Sequence, residues 1–165
     1  MVLDPVTGTK CAHEISIPDE LVQHWKSLGK VQSIGELELL PVVVFFEQYR
    51  DLCSRRRVLV FVDNNAVRDT ISKASSRSLT LLILLSELHR LWAGIQCLAW
   101  VSRVPSKSNI GDLPSRQDPA AAADIIGGVH GPALAPSESL CDIICNAANF
   151  VDHMRNVLAR TKKKT

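Results

Sequence analysis

Five apolar residues in a row, Val58 to Val62 in the stretch "VLVFVDNNAVRDTI", run directly into a carboxylate, Asp63. The run is short and rich in β-branched residues, so it reads as a strand buried on both faces. A carboxylate at the C-terminal end of such a strand is costly to desolvate unless it is paired, hydrogen-bonded or bound to a metal. The fold must therefore bury the strand and still give Asp63 a partner.

At 165 residues the chain has room for one domain with a sizeable core, followed by a tail. Hydrophobic residues at 46% and charged residues at 22% place it among ordinary globular proteins. A net charge of +2 does not by itself identify a polyanionic partner, although "SRRR" at Ser54 to Arg57 and "ARTKKKT" at the C-terminus are local basic clusters. Five scattered cysteines without a signal peptide are expected to be reduced thiols, in the cytoplasm or nucleus. Cys141 and Cys145 fall one helical turn apart with His153 beyond them, but no Cys-x-x-Cys pair supports a metal knuckle. The most apolar segment, "LTLLILL" from Leu79, is too short to span a bilayer, and no membrane partner is expected.

Along the chain, "DPVTG" between Met1–Leu3 and Cys11–Ile17 predicts a hairpin with a stub of a first strand. "PDELVQHWKSLGK" reads as a short amphipathic helix closed by Gly29. Apolar residues at Ile34, Leu37, Pro41, Val44, Phe45, Tyr49 and Leu52 follow a helical period. Because proline is tolerated in a first turn, that helix is expected from about Leu37 to Cys53, with Glu38 beside the positive end of its dipole. "NNAVRDTISK" reads as a short helix, Arg77 to Gly94 as a longer one buried against a sheet, and "IQCLAWVSRV" as a strand. "PSKSNIGDLPSR" is a polar loop entering a helical turn. The expected organisation is an α/β domain over 1–116 with a mixed sheet flanked by helices. An Ala-, Gly- and Pro-rich linker over 117–137 and a C-terminal amphipathic helix with a basic tail over 138–165 complete it.

Three acids stand out by position: Glu38 in a first helical turn, Asp63 at a strand end and Asp112 in the polar loop. Function in open α/β sheets sits outside the carboxyl ends of strands, and carboxylates gathered from unlike elements suit hard Mg²⁺ ions. Taken singly, Glu36 or Glu38 is equally a solvated acid at a helix start, and Asp112 a helix cap.

In that order, "IGELELLPVV", "VLVFVDNNAVRDTI" and "SRVPSKSNIGDLPSR" resemble the ribonuclease H-like domain that follows the polymerase in retrotransposon reverse transcriptases of the DIRS-like group. The resemblance covers Met1 to about Arg116. It implies that Glu38, Asp63 and Asp112 hold Mg²⁺ or Mn²⁺ for two-metal hydrolysis of the RNA strand in an RNA/DNA hybrid. It also makes Asn64, Asn65, Arg68, Lys73, Arg103 and Lys107 candidates for contacts to hybrid or other nucleic acid, with an upstream polymerase domain as a further partner.

The chain departs from the family in four ways. It begins at what resembles the family's second strand, so the first strand and its metal-bridging aspartate have no counterpart, and Asp4 belongs to the "DPVTG" turn. Gly111 stands where alanine is common, no histidine precedes Asp112, and there is no extra basic helix between Asp63 and Asp112. The resemblance thus implies an N-terminally truncated domain with impaired hydrolysis. The alternatives are an inactive remnant that keeps the fold and weak nucleic-acid binding, and a small α/β domain unrelated to nucleic acid.

Overall fold

The structure, a computed structural model, describes residues 1–28, 33–105 and 119–147. Its elements in order are β1 (Val2–Leu3), β2 (Lys10–Ala12), α1 (Asp19–Ser27), α2 (Ile34–Gln48), α3 (Arg50–Cys53), β3 (Arg57–Val62), α4 (Asn65–Lys73), α5 (Leu79–Gly94), β4 (Leu98–Arg103), α6 (Pro119–Ile126) and β5 (Val129–His130). A final helix, α7, begins at residue 138 and is described to residue 147. The architecture is mixed α/β. Its strands form two small sheets where one mixed sheet was expected: β1-β2-β5, with β1 antiparallel and β5 parallel to β2, and the parallel pair β3-β4. Among the described residues no helix is long and apolar enough to cross a membrane.

The hairpin forms as its sequence predicts. Asp4 closes the turn by accepting from the Val6 N–H at 3.0 Å and the Thr7 hydroxyl at 2.6 Å, and it pairs with Arg56 at 2.7 Å, which ties the hairpin to the start of β3. The Thr7 hydroxyl first, then the Val6 amide and the Arg56 guanidinium, hold the Asp4 carboxyl down at about 2.

The central helices are α2 and α5. Helix α2 starts at Ile34, earlier than Pro41 suggested, and carries that proline in its interior. Pro41 removes the N–H that would reach the Leu37 carbonyl, but Leu37 lies on the exposed side, where water can serve that oxygen. The helix ends at Gln48, and the expected stretch to Cys53 is completed by the separate turn α3. Helix α5 ends at Gly94 as expected and is capped by Ser78, whose hydroxyl accepts from the Leu81 N–H. Leu39, Leu40 and Phe46 of α2 and Leu84 and Leu88 of α5 are fully buried, together with Trp25 of α1 and Ile144 of α7.

The strand β3 forms where expected, but it is not interior among the described residues. Its only strand neighbour is β4, in the register Leu59 with Trp100 and Phe61 with Ser102. Val58, Val60 and Val62 turn toward the helices, whereas Leu59 and Phe61 are 67% and 61% exposed. An unbroken apolar run does not say whether other elements exist to cover both faces.

Part of the expected linker is structured. Helix α6 packs Ala122 and Ala123 against Ala12 of β2, and β5 pairs with β2. The glycines there are sites of close approach: a Cβ at Gly128 would lie 2.4 Å from the Lys10 carbonyl oxygen, and one at Gly131 would lie 2.0 Å from the His13 ring. That ring is fixed from both ends. The Pro132 carbonyl, 2.9 Å from Nδ1, can only accept, so Nδ1 carries the proton and Nε2 accepts from the Tyr49 hydroxyl.

Because Asp4 is held below its unfolded value of about 3.9, its stabilising contribution is present above that value and is lost as pH falls toward 2. Asp4→Asn is expected to lower the melting temperature at neutral pH. In thermal denaturation across pH the gap to wild type should narrow between pH ~4 and ~2; a gap independent of pH would remove the charge from the explanation.

Candidate functional site

Two of the three singled-out acids come together. Glu38 is the fifth residue of α2, and β3 delivers Asp63 immediately after Val62. Asn64 follows as the N-cap of α4, its Oδ1 accepting from the Ala66 and Val67 amides at 2.8 and 3.3 Å. With Oδ1 so engaged, the Asn64 side-chain NH₂ is the group turned to the Glu38 carboxylate, a contact that favours its ionised form. Burial works the other way and dominates, the neighbouring Asp63 charge adds to it, and the Glu38 carboxyl is pushed above its ordinary range. One of its oxygens, Oε2, is buried without a hydrogen-bond partner.

A buried, partnerless carboxylate oxygen beside a second carboxylate is an unfavourable arrangement for a folded chain to keep. Its chemistry suits a divalent cation: the donors are hard oxygens, and positive charge would relieve both the repulsion and the desolvation. Glu38 and Asp63 are the residues that could hold such an ion. Among the described residues no group of three or more His, Cys, Asp or Glu side chains is arranged to hold a metal. Asp112, the third expected ligand, and Lys107 lie outside the described residues.

The remaining candidates lie on β4 and along α4. Arg103 closes β4 opposite Val62, which places it at the end of the strand pair where Asp63 emerges. Asn65 is exposed in the first turn of α4. Arg68 and Lys73 both pair with Asp69, the lysine at 3.2 Å, and such exposed ion pairs exchange readily for other anions.

Glu36 behaves unlike the solvated helix-start acid it resembles in sequence. It is 1% exposed and accepts from the Ser78 hydroxyl at 3.1 Å and from the Thr80 hydroxyl, at the N-terminus of α5. Nothing local in the sequence pairs Glu36 with a residue 42 positions further on. The five cysteines are free thiols. Burial, with Cys97 adjacent, pushes the Cys53 thiol up to about 11, which leaves it unreactive at neutral pH.

The fold and site thus define a mixed α/β protein with a carboxylate pair at the C-terminal end of a parallel strand pair. The chain matches no family model, no curated protein and no solved structure.

Since the Glu38 carboxyl is raised, the stability that its protonated form confers is present at or below the unfolded value of about 4.3 and is lost as pH rises through the folded value. Glu38→Gln is expected to raise the melting temperature at pH 7 by a few degrees. The gain should shrink as pH falls toward 4, read by thermal denaturation at a series of pH values. A destabilised variant at pH 7 would mean that the carboxylate is satisfied as it stands.

Proposed function

We propose that this chain is a ribonuclease H-like domain of a retroelement reverse transcriptase, built for metal-dependent hydrolysis of RNA in RNA/DNA hybrids but short of ligands on its own. The observation that carries the reading is the convergence of Glu38 from α2 and Asp63 from the end of β3, with Oε2 of Glu38 buried and unpartnered. These two side chains would hold one Mg²⁺ or Mn²⁺ ion, and Asp112 would help to hold a second. The bound ions would supply charge stabilisation and an acidified water for phosphodiester cleavage. Asn64 orients Glu38, and Arg103, Asn65 and, after release from Asp69, Arg68 and Lys73 would meet the nucleic-acid backbone.

The further ligand is assigned to a strand added along β3. The ladder to β4 is bracketed by the Leu98 N–H to Arg56 oxygen bond at 2.9 Å and the Val104 N–H to Val62 oxygen bond at 3.0 Å. Even-numbered residues of β3 therefore direct their backbone groups to β4, and Arg57, Leu59 and Phe61 direct theirs to the opposite edge. A strand from an upstream segment docking on that edge would bring an aspartate beside Asp63. A second reading is a non-hydrolytic remnant with weak nucleic-acid binding through basic side chains such as Arg68, Lys73 and Arg103.

The test is cleavage of an RNA/DNA hybrid in Mg²⁺ by this chain, by the chain carrying an N-terminal strand with an aspartate, and by that extended chain with Asp63→Asn. Cleavage is expected from the extended chain alone, with the substitution reducing it at least a hundredfold. In parallel, Mg²⁺ should raise the melting temperature of the wild-type chain and not of Asp63→Asn. A silent extended chain would establish the remnant reading, and a Mg²⁺ effect indifferent to Asp63 would remove the site.

A further inference from the structure

The outward face of the β3-β4 pair is an exposed apolar feature that the proposed hydrolytic role does not use. In register it carries Arg57 beside Leu98, Leu59 beside Trp100 and Phe61 beside Ser102. Leu59, Phe61, Leu98 and Trp100 are 67%, 61%, 68% and 71% exposed. Parallel strands are found almost only with both faces covered, and among the described residues the helices cover one. Large side chains offer on the order of 150–250 Å² each, so these four present roughly 500–600 Å² of contiguous apolar surface. That is the upper end for the largest patch on a monomer and approaches the ~800 Å² per partner of a standard interface.

We infer that this face is a homodimer interface, in which two copies pack their β3-β4 faces together across a two-fold axis. Three features favour a second copy. First, four large apolar side chains accompany a single cation, Arg57, so the face suits an apolar partner better than a phosphate-bearing one. Second, the patch is self-complementary in one direction only. Strands running parallel in the two copies would gather both Arg57 cations at one end, whereas antiparallel ones lay each Arg57 over the Phe61 end of the other face, a favourable cation–π position. Third, with the flanking Arg57 and Ser102 the paired faces reach the size that stable association requires, at the ~10 Å spacing of stacked sheets. The contact uses the face of β3 and leaves its edge free, so it stands independently of the hydrolase reading.

Sedimentation equilibrium of the full chain over a wide concentration range tests this. The expected result is a species of twice the 18.2 kDa chain mass, weakened at least a hundredfold by Trp100→Lys. Val6→Lys, at an 81% exposed site in the hairpin turn, should leave the dimer intact. Leu59→Thr keeps strand propensity and should weaken association about tenfold with unchanged circular dichroism, which covers the case in which the lysine variant does not fold. A wild-type chain that stays monomeric overturns the inference, as does a dimer indifferent to Leu59→Thr. So does a monomer whose tryptophan fluorescence is quenched by a single-stranded oligonucleotide, which would assign the face to stacked bases.

Discussion

The burial of Glu36 is the constraint on which the placement of the rest depends. A carboxylate taken out of water is tolerable only where it is met by good donors, and here the Ser78 and Thr80 hydroxyls at the positive end of α5 both donate to its Oε1. Sliding α2 along α5 by one turn would strand the charge, so the contact fixes the register of the two helices that form most of the core. Glu38 lies two residues further along α2, about 200° around the helix from Glu36, and is thereby turned away from the α5 cap toward the end of β3. One glutamate locks the helix, and the other is presented by it.

The same logic separates structure from site. Glu36 is an acid whose Oε1 is met by two hydroxyls, and Asp4 is one whose environment favours the charged form through hydroxyl, amide and guanidinium partners. Glu38 is the acid whose environment disfavours it, by burial and by the adjacent Asp63. Perturbation toward the neutral form, at the end of a strand pair where the chain turns into a capped helix, is costly for folding and useful for binding a cation. The Asn64 cap adds to this economy: one side chain closes α4 with its oxygen and steadies Glu38 with its amide group.

Much of this was legible in the sequence where local chemistry decides. The "DPVTG" turn, the apolar run ending at Asp63 and the Gly94 stop each act within a few residues. Features set by distant partners were not legible. Glu36 and Glu38 stand two apart in the same helix start, and only the position of Ser78 and Thr80 distinguishes the buried lock from the acid turned toward Asp63. Residues 119–130 look like a linker because alanine and glycine dominate, yet those residues serve close packing: Ala122 and Ala123 against Ala12, and Gly128 against the Lys10 backbone. Composition that permits flexibility also permits tight contact. Periodicity told the same half-truth about β3, since five consecutive apolar residues describe what the strand can bury and not what is present to bury it.

That half-truth bears on how the strand works. In β3 the even-numbered residues give their side chains to the helical core and their backbone groups to β4, while Leu59 and Phe61 give neither to the described chain. The two unfilled directions of β3 are perpendicular: its edge accepts a strand through backbone hydrogen bonds, and its face accepts an apolar layer through side chains. Edge pairing is directional and would place a further ligand beside Asp63, whereas face packing is non-directional and would supply burial without chemistry. A strand so anchored on one side only gains rigidity from either partner, and rigidity at its C-terminal end would keep Asp63 and Glu38 in place for the ion proposed above.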